Sequence, residues 1–111
     1  MNVADISGAR SDFKILQTTP RVQTAVMRLK AGEASGPEKE THERSDQVVL
    51  VLEGDLVAQL DNEEDQSLPL GFSLIIPAGT PHRLVNRGKT EVLVYTCYAP
   101  PAYSEDGREK G

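Results

Sequence analysis

Gly71-Phe72-Ser73-Leu74-Ile75-Ile76-Pro77-Ala78-Gly79-Thr80-Pro81-His82-Arg83-Leu84-Val85-Asn86 reads as a strand, a rigid turn and a second strand. Phe72 to Ile76 is short, apolar and β-branched, and Gly71 and Pro77 bound it. The turn carries two prolines and a glycine: proline fixes φ, and glycine opens the left-handed region. His82 begins the second strand, so the turn presents its imidazole toward the interior of whatever barrel these strands help to build. Arg83 follows directly and, by the two-residue alternation of a strand, points the other way. Asn86 closes the stretch as a polar side chain suited to holding a turn or the His82 strand.

The same alternation of short runs and breakers extends through the chain. Strand-length runs cover Phe13 to Leu16, Val22 to Leu29, Gln47 to Leu52, Leu56 to Leu60, Phe72 to Ile76, His82 to Asn86 and Val92 to Tyr98. Glu53-Gly54-Asp55 joins two of them as a tight hairpin. No segment keeps a helical apolar stripe beyond two turns without a Gly or Pro inside it, so the pattern predicts an all-β sandwich or barrel. Asp61-Asn62-Glu63-Glu64-Asp65-Gln66 reads as a solvated loop; it lacks the Gly and distal Glu of an EF-hand. The first dozen residues read as a leader or loose edge strand. Ala99-Pro100-Pro101-Ala102 cannot continue a central strand, and the polar tail from Ser104 to Gly111 is expected to be mobile. The expectation is one domain, 1–111, with its core over about 13–101.

Composition narrows the partners. The 111 residues carry 12 Lys plus Arg against 17 Asp plus Glu, a formal charge of −5, with the cations scattered. Such a surface repels phosphate backbones, which argues against nucleic acid. No apolar run approaches the roughly 20 residues that span a bilayer. Met1-Asn2-Val3-Ala4-Asp5 lacks the basic then apolar order of a signal peptide, so no membrane partner and a cytoplasmic location are the default expectations. Cys97, the single cysteine, sits in an apolar strand run and reads as a small strand residue.

Two histidines occur in the chain. His42 stands in Glu40-Thr41-His42-Glu43-Arg44-Ser45-Asp46-Gln47. Glu40 and His42, two residues apart, share a side of an extended chain. Gln47 opens the next strand, and with His82 arriving from a neighbouring strand, three or four N and O donors converge. The residues leave two readings open: a metal site, or a polar interior in which Glu40 pairs with His42 and Gln47 bonds His82. Tyr95 and Tyr98 are weaker candidates for chemistry; three residues apart on one strand, only one of them faces the pocket, and packing is the plainer role for both.

The segment from Gly71 to Asn86 resembles the second cupin motif at every fixed position: Gly, five residues, Pro-x-Gly, two residues, His, three residues, Asn. In the first cupin motif two histidines flank one residue, a Glu follows, and a Gly closes seven residues later. Here Glu40 takes the first histidine position, His42 the second, Gln47 the glutamate position and Gly54 the closing glycine. Asp46-Gln47 and Tyr95-Thr96-Cys97-Tyr98-Ala99-Pro100-Pro101 are similar to a subgroup of short cupins described as mannose-6-phosphate isomerase-like. The resemblance implies a double-stranded β-helix, or jelly-roll barrel, with one divalent metal held by Glu40, His42, Gln47 and His82 inside one mouth. Mixed imidazole and oxygen donors suit Zn, Fe, Mn, Ni or Co. With one carboxylate among four donors, a divalent ion keeps a charge of about +1 and stays a Lewis acid. A small-molecule ligand in the barrel and a homodimer are implied, the segment before Val22 or the Pro100-Pro101 tail contributing to the pairing. Two functions follow: a metal-dependent isomerase or dioxygenase acting on a small polar, sugar-like or carboxylate substrate, or a non-catalytic binding or sensing module.

Overall fold

The computed structural model describes residues 1–8 and 11–104. Its strands are β1 (Phe13–Thr18), β2 (Gln23–Leu29), β3 (Asp46–Glu53), β4 (Leu56–Leu60), β5 (Gln66–Leu68), β6 (Ser73–Ile76), β7 (His82–Val85) and β8 (Val92–Ala99). They form two antiparallel sheets, ordered β1-β2-β8-β3-β6 and β5-β4-β7. The described residues contain no helix, hence none long and apolar enough to cross a membrane. All-β architecture is thus the outcome that the punctuation predicts.

Most strand bounds differ from the sequence reading by a residue or two, and Glu53-Gly54-Asp55 is not a hairpin: β3 and β4, which it joins, lie in different sheets, so the chain turns a corner there from one sheet to the other. Gln66, read with the acidic loop, instead begins β5. Pairing of Leu56 with Leu68 makes a strand of this segment, and Leu68 is its one buried residue. Three residues carry too little periodicity to be seen alone. β1 runs two residues beyond Leu16 because its ladder with β2 resumes after a register shift between Ile15 and Gln17. β8 reaches Ala99, opposite Asp46, before the prolines end it. Residues 1–8 form no strand, although Gln17 Nε2 donates to the Asn2 carbonyl at 2.8 Å. The mobile tail expected from Ser104 lies, from 105 onward, outside the described residues.

Inward positions sort the interior along the strands. On β3 they run Gln47, Val49, Val51; on β8, Tyr98, Thr96, Val94, Val92; on β7, His82, Leu84. Val49, Val51, Val92, Val94, Leu84, Leu29, Leu56, Ala58, Leu68 and Ile76 form the apolar core between the sheets. Burying such side chains stabilises the fold by about 1.5–3 kcal/mol each. The polar ends of the same three strands therefore meet beside the core, at one end of the sandwich.

Two residues pin the far end. Asn86 is fully buried; its Nδ2 donates to Leu29 O at 3.0 Å and Thr90 O at 2.8 Å, and its Oδ1 accepts from Gly88 N at 3.0 Å. Gly54 has φ +78°, and a Cβ there would lie 2.5 Å from the Glu91 carbonyl oxygen. Gly32 has a similar φ of +82° with open space around it. Gly32→Ala is therefore expected to cost about 1 kcal/mol of conformational strain and about 5 °C in Tm, and Gly54→Ala, which adds the backbone clash, about 15 °C or more. Equal melting shifts in thermal unfolding would show that the close approach at Gly54 carries no weight.

Candidate metal centre

Backbone pairing brings the first two donors together. Glu40 and His82 form an isolated antiparallel bridge, with Glu40 N donating to His82 O at 2.9 Å and His82 N to Glu40 O at 2.8 Å. Directly opposed residues of an antiparallel pair project to the same side. The turn before His82 docks on the other donor segment: Gly79 N bonds His42 O at 2.9 Å, and Ala78 N bonds Asp46 Oδ1 at 2.9 Å. The proline-glycine turn thus holds His42 and His82 together as well as shaping its own strand.

Glu40, His42 and His82 each place a ligand atom within 4.8 Å of the others. Both imidazoles are buried, with ring centroids 5.2 Å apart, while Glu40 stands at the exposed side. His82 Nδ1 lies 3.0 Å from the Thr80 carbonyl oxygen, which can only accept, so Nδ1 carries the proton of the neutral ring. Nε2, 4.0 Å from Glu40 Oε1, then offers the lone pair to the cluster. A backbone carbonyl fixing the tautomer in this way is the usual support of a metal-ligating histidine.

Gln47 is the fourth expected donor, and it lies on the cavity wall, second in β3 and buried. Its Nε2 donates to Thr96 Oγ1 at 3.0 Å and reaches the Tyr98 hydroxyl at 3.4 Å. Its Oε1 is buried and accepts no hydrogen bond from the described residues. A buried carbonyl left so costs about 1–3 kcal/mol. The self-satisfied polar interior therefore leaves one acceptor unserved, whereas two imidazoles, a carboxylate and an amide oxygen suit a divalent transition ion. The residues present fit such a metal.

An aromatic wall backs His42. Its ring lies 5.2 Å from Tyr98 and 5.8 Å from Tyr103, which are 5.3 Å from each other, and Phe13 sits 5.1 Å from Tyr103. Of the two candidate tyrosines, Tyr98 faces the cavity, and Tyr95 does not line it. Burial pushes the Tyr98 phenol well above its ordinary value, helped by the adjoining Tyr103 hydroxyl, so Tyr98 keeps its proton. Tyr103 escapes a reading of the sequence because it follows the two prolines that end the core. The chain returns there: Gln23 Nε2 donates to Tyr103 O at 2.9 Å, and Tyr103 N donates to Gln23 Oε1 at 3.1 Å. Nothing local to Tyr103 announces this pairing with a glutamine 80 residues away.

The cavity is about 330 Å³ and bordered by Met27, Leu29, Leu84 and Val94 as well as Glu40, Gln47, His82, Thr96 and Tyr98; His42 stands behind this lining. Arg28 is the single Lys or Arg among its lining residues. Its Nη2 lies 3.0 Å from Asp12 and its Nη1 3.4 Å from Glu91. Arg83, as alternation predicts, turns to Gly36 O at 2.8 Å and Gln59 Oε1 at 3.5 Å.

Comparison with known proteins places these features in a family. The cupin domain family profile matches residues 25–98. An uncharacterized protein of Acanthamoeba polyphaga mimivirus is 32% identical over 90 residues, covering 78% of this chain and 55% of its own. The chain spans about half the length of the curated relatives it matches. A crystal structure of a Bacillus halodurans protein superposes with a TM-score of 0.84 at 28% identity, over 96% of this chain and 86% of that one. A Thermus thermophilus protein gives 0.78 at 25% identity, over 90% of this chain and 98% of its own.

Cys97 belongs to neither the donor cluster nor the cavity wall. Burial pushes its thiol above the ordinary value, partly opposed by a hydrogen bond with Tyr95. Its alkylation by iodoacetamide at about pH 8 should be slower than that of free cysteine and keep rising beyond about pH 9. A rate already level at about pH 7 would mark an activated thiol and overturn the reading of Cys97 as a strand residue.

Proposed function

The chain belongs to the cupin domain family, and from that premise we propose that it is a metal-dependent enzyme holding one divalent transition metal between Glu40, His42, Gln47 and His82. Its substrate is a small polar molecule, sugar-like or a carboxylate, and its reaction an isomerisation or a dioxygen-dependent cleavage. The observation that carries this reading is the buried Gln47 carbonyl, without a hydrogen-bond donor among the described residues, beside a carboxylate and two imidazoles. A bound divalent ion would supply Lewis acidity toward a substrate oxygen.

The chain's own groups divide the remaining work. Thr80 holds the His82 Nδ1 proton away from the cavity. Tyr98 keeps a hydroxyl proton at the wall, where it can donate to a substrate oxygen. Leu29, Leu84 and Val94 exclude water from one side of the cavity. Glu33, Glu40 and Asp12 border it, and Arg28 is already engaged by carboxylates. This balance disfavours a ligand recognised chiefly through phosphate charge. A homodimer belongs to the same proposal: exposed apolar side chains stand at both ends of the larger sheet, Phe13 on β1 and Ile75 on β6, with Phe72 beside β6.

Untagged protein should bind about one equivalent of Zn²⁺ or Mn²⁺, with thermal stabilisation that grows with metal concentration. His42→Ala and His82→Ala should each lose that uptake. Uptake below about a tenth of an equivalent at saturating metal would sink the metal reading. Metal-dependent turnover that disappears in His42→Ala supports the enzyme; ligand-induced stabilisation without turnover marks a binding module instead.

A further inference from the structure

We infer that Thr96 is a positioning residue that decides which end of the Gln47 amide faces the donor cluster. The inference rests on the metal reading and adds a residue to it.

An amide side chain has two unlike ends. Its oxygen has lone pairs that a cation can use; its NH₂ has only protons to offer and would repel one. Gln47 can therefore serve as a ligand in one of its two orientations and obstruct in the other. The two ends are nearly equal in size, so shape does not select between them and the hydrogen-bond network must.

Here the short distances at Thr96 favour one orientation. Thr96 Oγ1 lies 2.8 Å from the Val48 carbonyl oxygen, which has no proton to give. The single hydroxyl proton of Thr96 is thus committed to Val48, and toward Gln47 the Thr96 oxygen can only accept. Gln47 must meet it with an N–H, at 3.0 Å. A flipped amide would set two acceptors against each other at that distance. The second amide N–H points to the Tyr98 hydroxyl at 3.4 Å, a longer and weaker contact. Both amide protons are then directed to β8, and Oε1 is the end left over.

Register makes the arrangement possible. Gln47 pairs with Tyr98, and Val49 with Thr96, across the β3–β8 ladder. Thr96 is thus the next inward residue on β8 toward the core, and it is buried. In the sequence it is one more β-branched residue in an apolar strand, and its shape alone would be matched by valine. Its hydroxyl is what valine lacks.

The test measures Zn²⁺ affinity by chelator competition in wild type, Thr96→Val, Thr96→Ser, Gln47→Glu and the Gln47→Glu/Thr96→Val double variant, each checked for folding by thermal melt. Thr96→Val should weaken binding by about 10–100-fold, the usual range for loss of a group that orients a ligand. Thr96→Ser, which keeps the hydroxyl, should stay within about twofold of wild type. A carboxylate presents oxygen at both ends, so in the Gln47→Glu background Thr96→Val should leave the affinity unchanged. Wild-type affinity in folded Thr96→Val overturns the inference while the metal reading stands. So does an equal loss from Thr96→Val in the wild-type and Gln47→Glu backgrounds, which would indicate a packing role. A loss of about tenfold in Thr96→Ser overturns it as well, and this arm decides the matter if the valine variant does not fold. Wild type that takes up no Zn²⁺ removes the metal reading and the inference together.

Discussion

Two backbone hydrogen bonds between Glu40 and His82 hold the site, and much else follows from them. They join a loop residue to the first residue of β7, far along the chain, and they align both side chains on one side. The proline-glycine turn then has one place to rest, against His42. Because backbone groups make these contacts, the donor cluster is positioned by parts that do not depend on the donors' own chemistry. Such a scaffold leaves the side chains at these positions free to vary, and Glu40 and Gln47 stand where the general family motif has a histidine and a glutamate.

Polar groups this close to an apolar core are costly unless each has a partner. The fold handles this by grading its strands. β3, β7 and β8 carry valine and leucine inward at one end and Gln47, His82, Thr96 and Tyr98 inward at the other; Gln47, Thr96 and Tyr98 neighbour one another across the β3–β8 ladder, and His82 lines the same cavity from the other sheet. His82 bonds Thr80, Gln47 bonds Thr96, and Thr96 bonds Val48. Gln47, His82 and Thr96 all line the same cavity.

Exchanging a carboxylate for an amide at position 47 has a structural consequence as well as an electrostatic one. Both oxygens of a carboxylate are equivalent, and rotation by half a turn changes nothing; an amide must be held. On the proposed reading, the neighbouring strand supplies that hold through Thr96, which no motif based on ligands alone would include. Tyr103 extends the same lesson. It reaches His42 and Tyr98 only because Gln23 clasps its backbone from β2.

Reading the residues in order is enough to obtain the all-β class, most of the strands, the break at Gly54 and the meeting of Glu40, His42 and His82. These properties are written in two-residue alternation and in the placement of glycine and proline, which act over a few residues. Other features emerge from the folded chain alone: Gln66–Leu68 pairs as a strand, Tyr98 and not Tyr95 faces the cavity, Tyr103 returns to the site, and Thr96 receives an amide proton of Gln47. Each depends on which residue stands opposite which across a ladder or a returning segment. Register between distant strands is set by the packing of the whole barrel, and a linear pattern carries that information only indirectly.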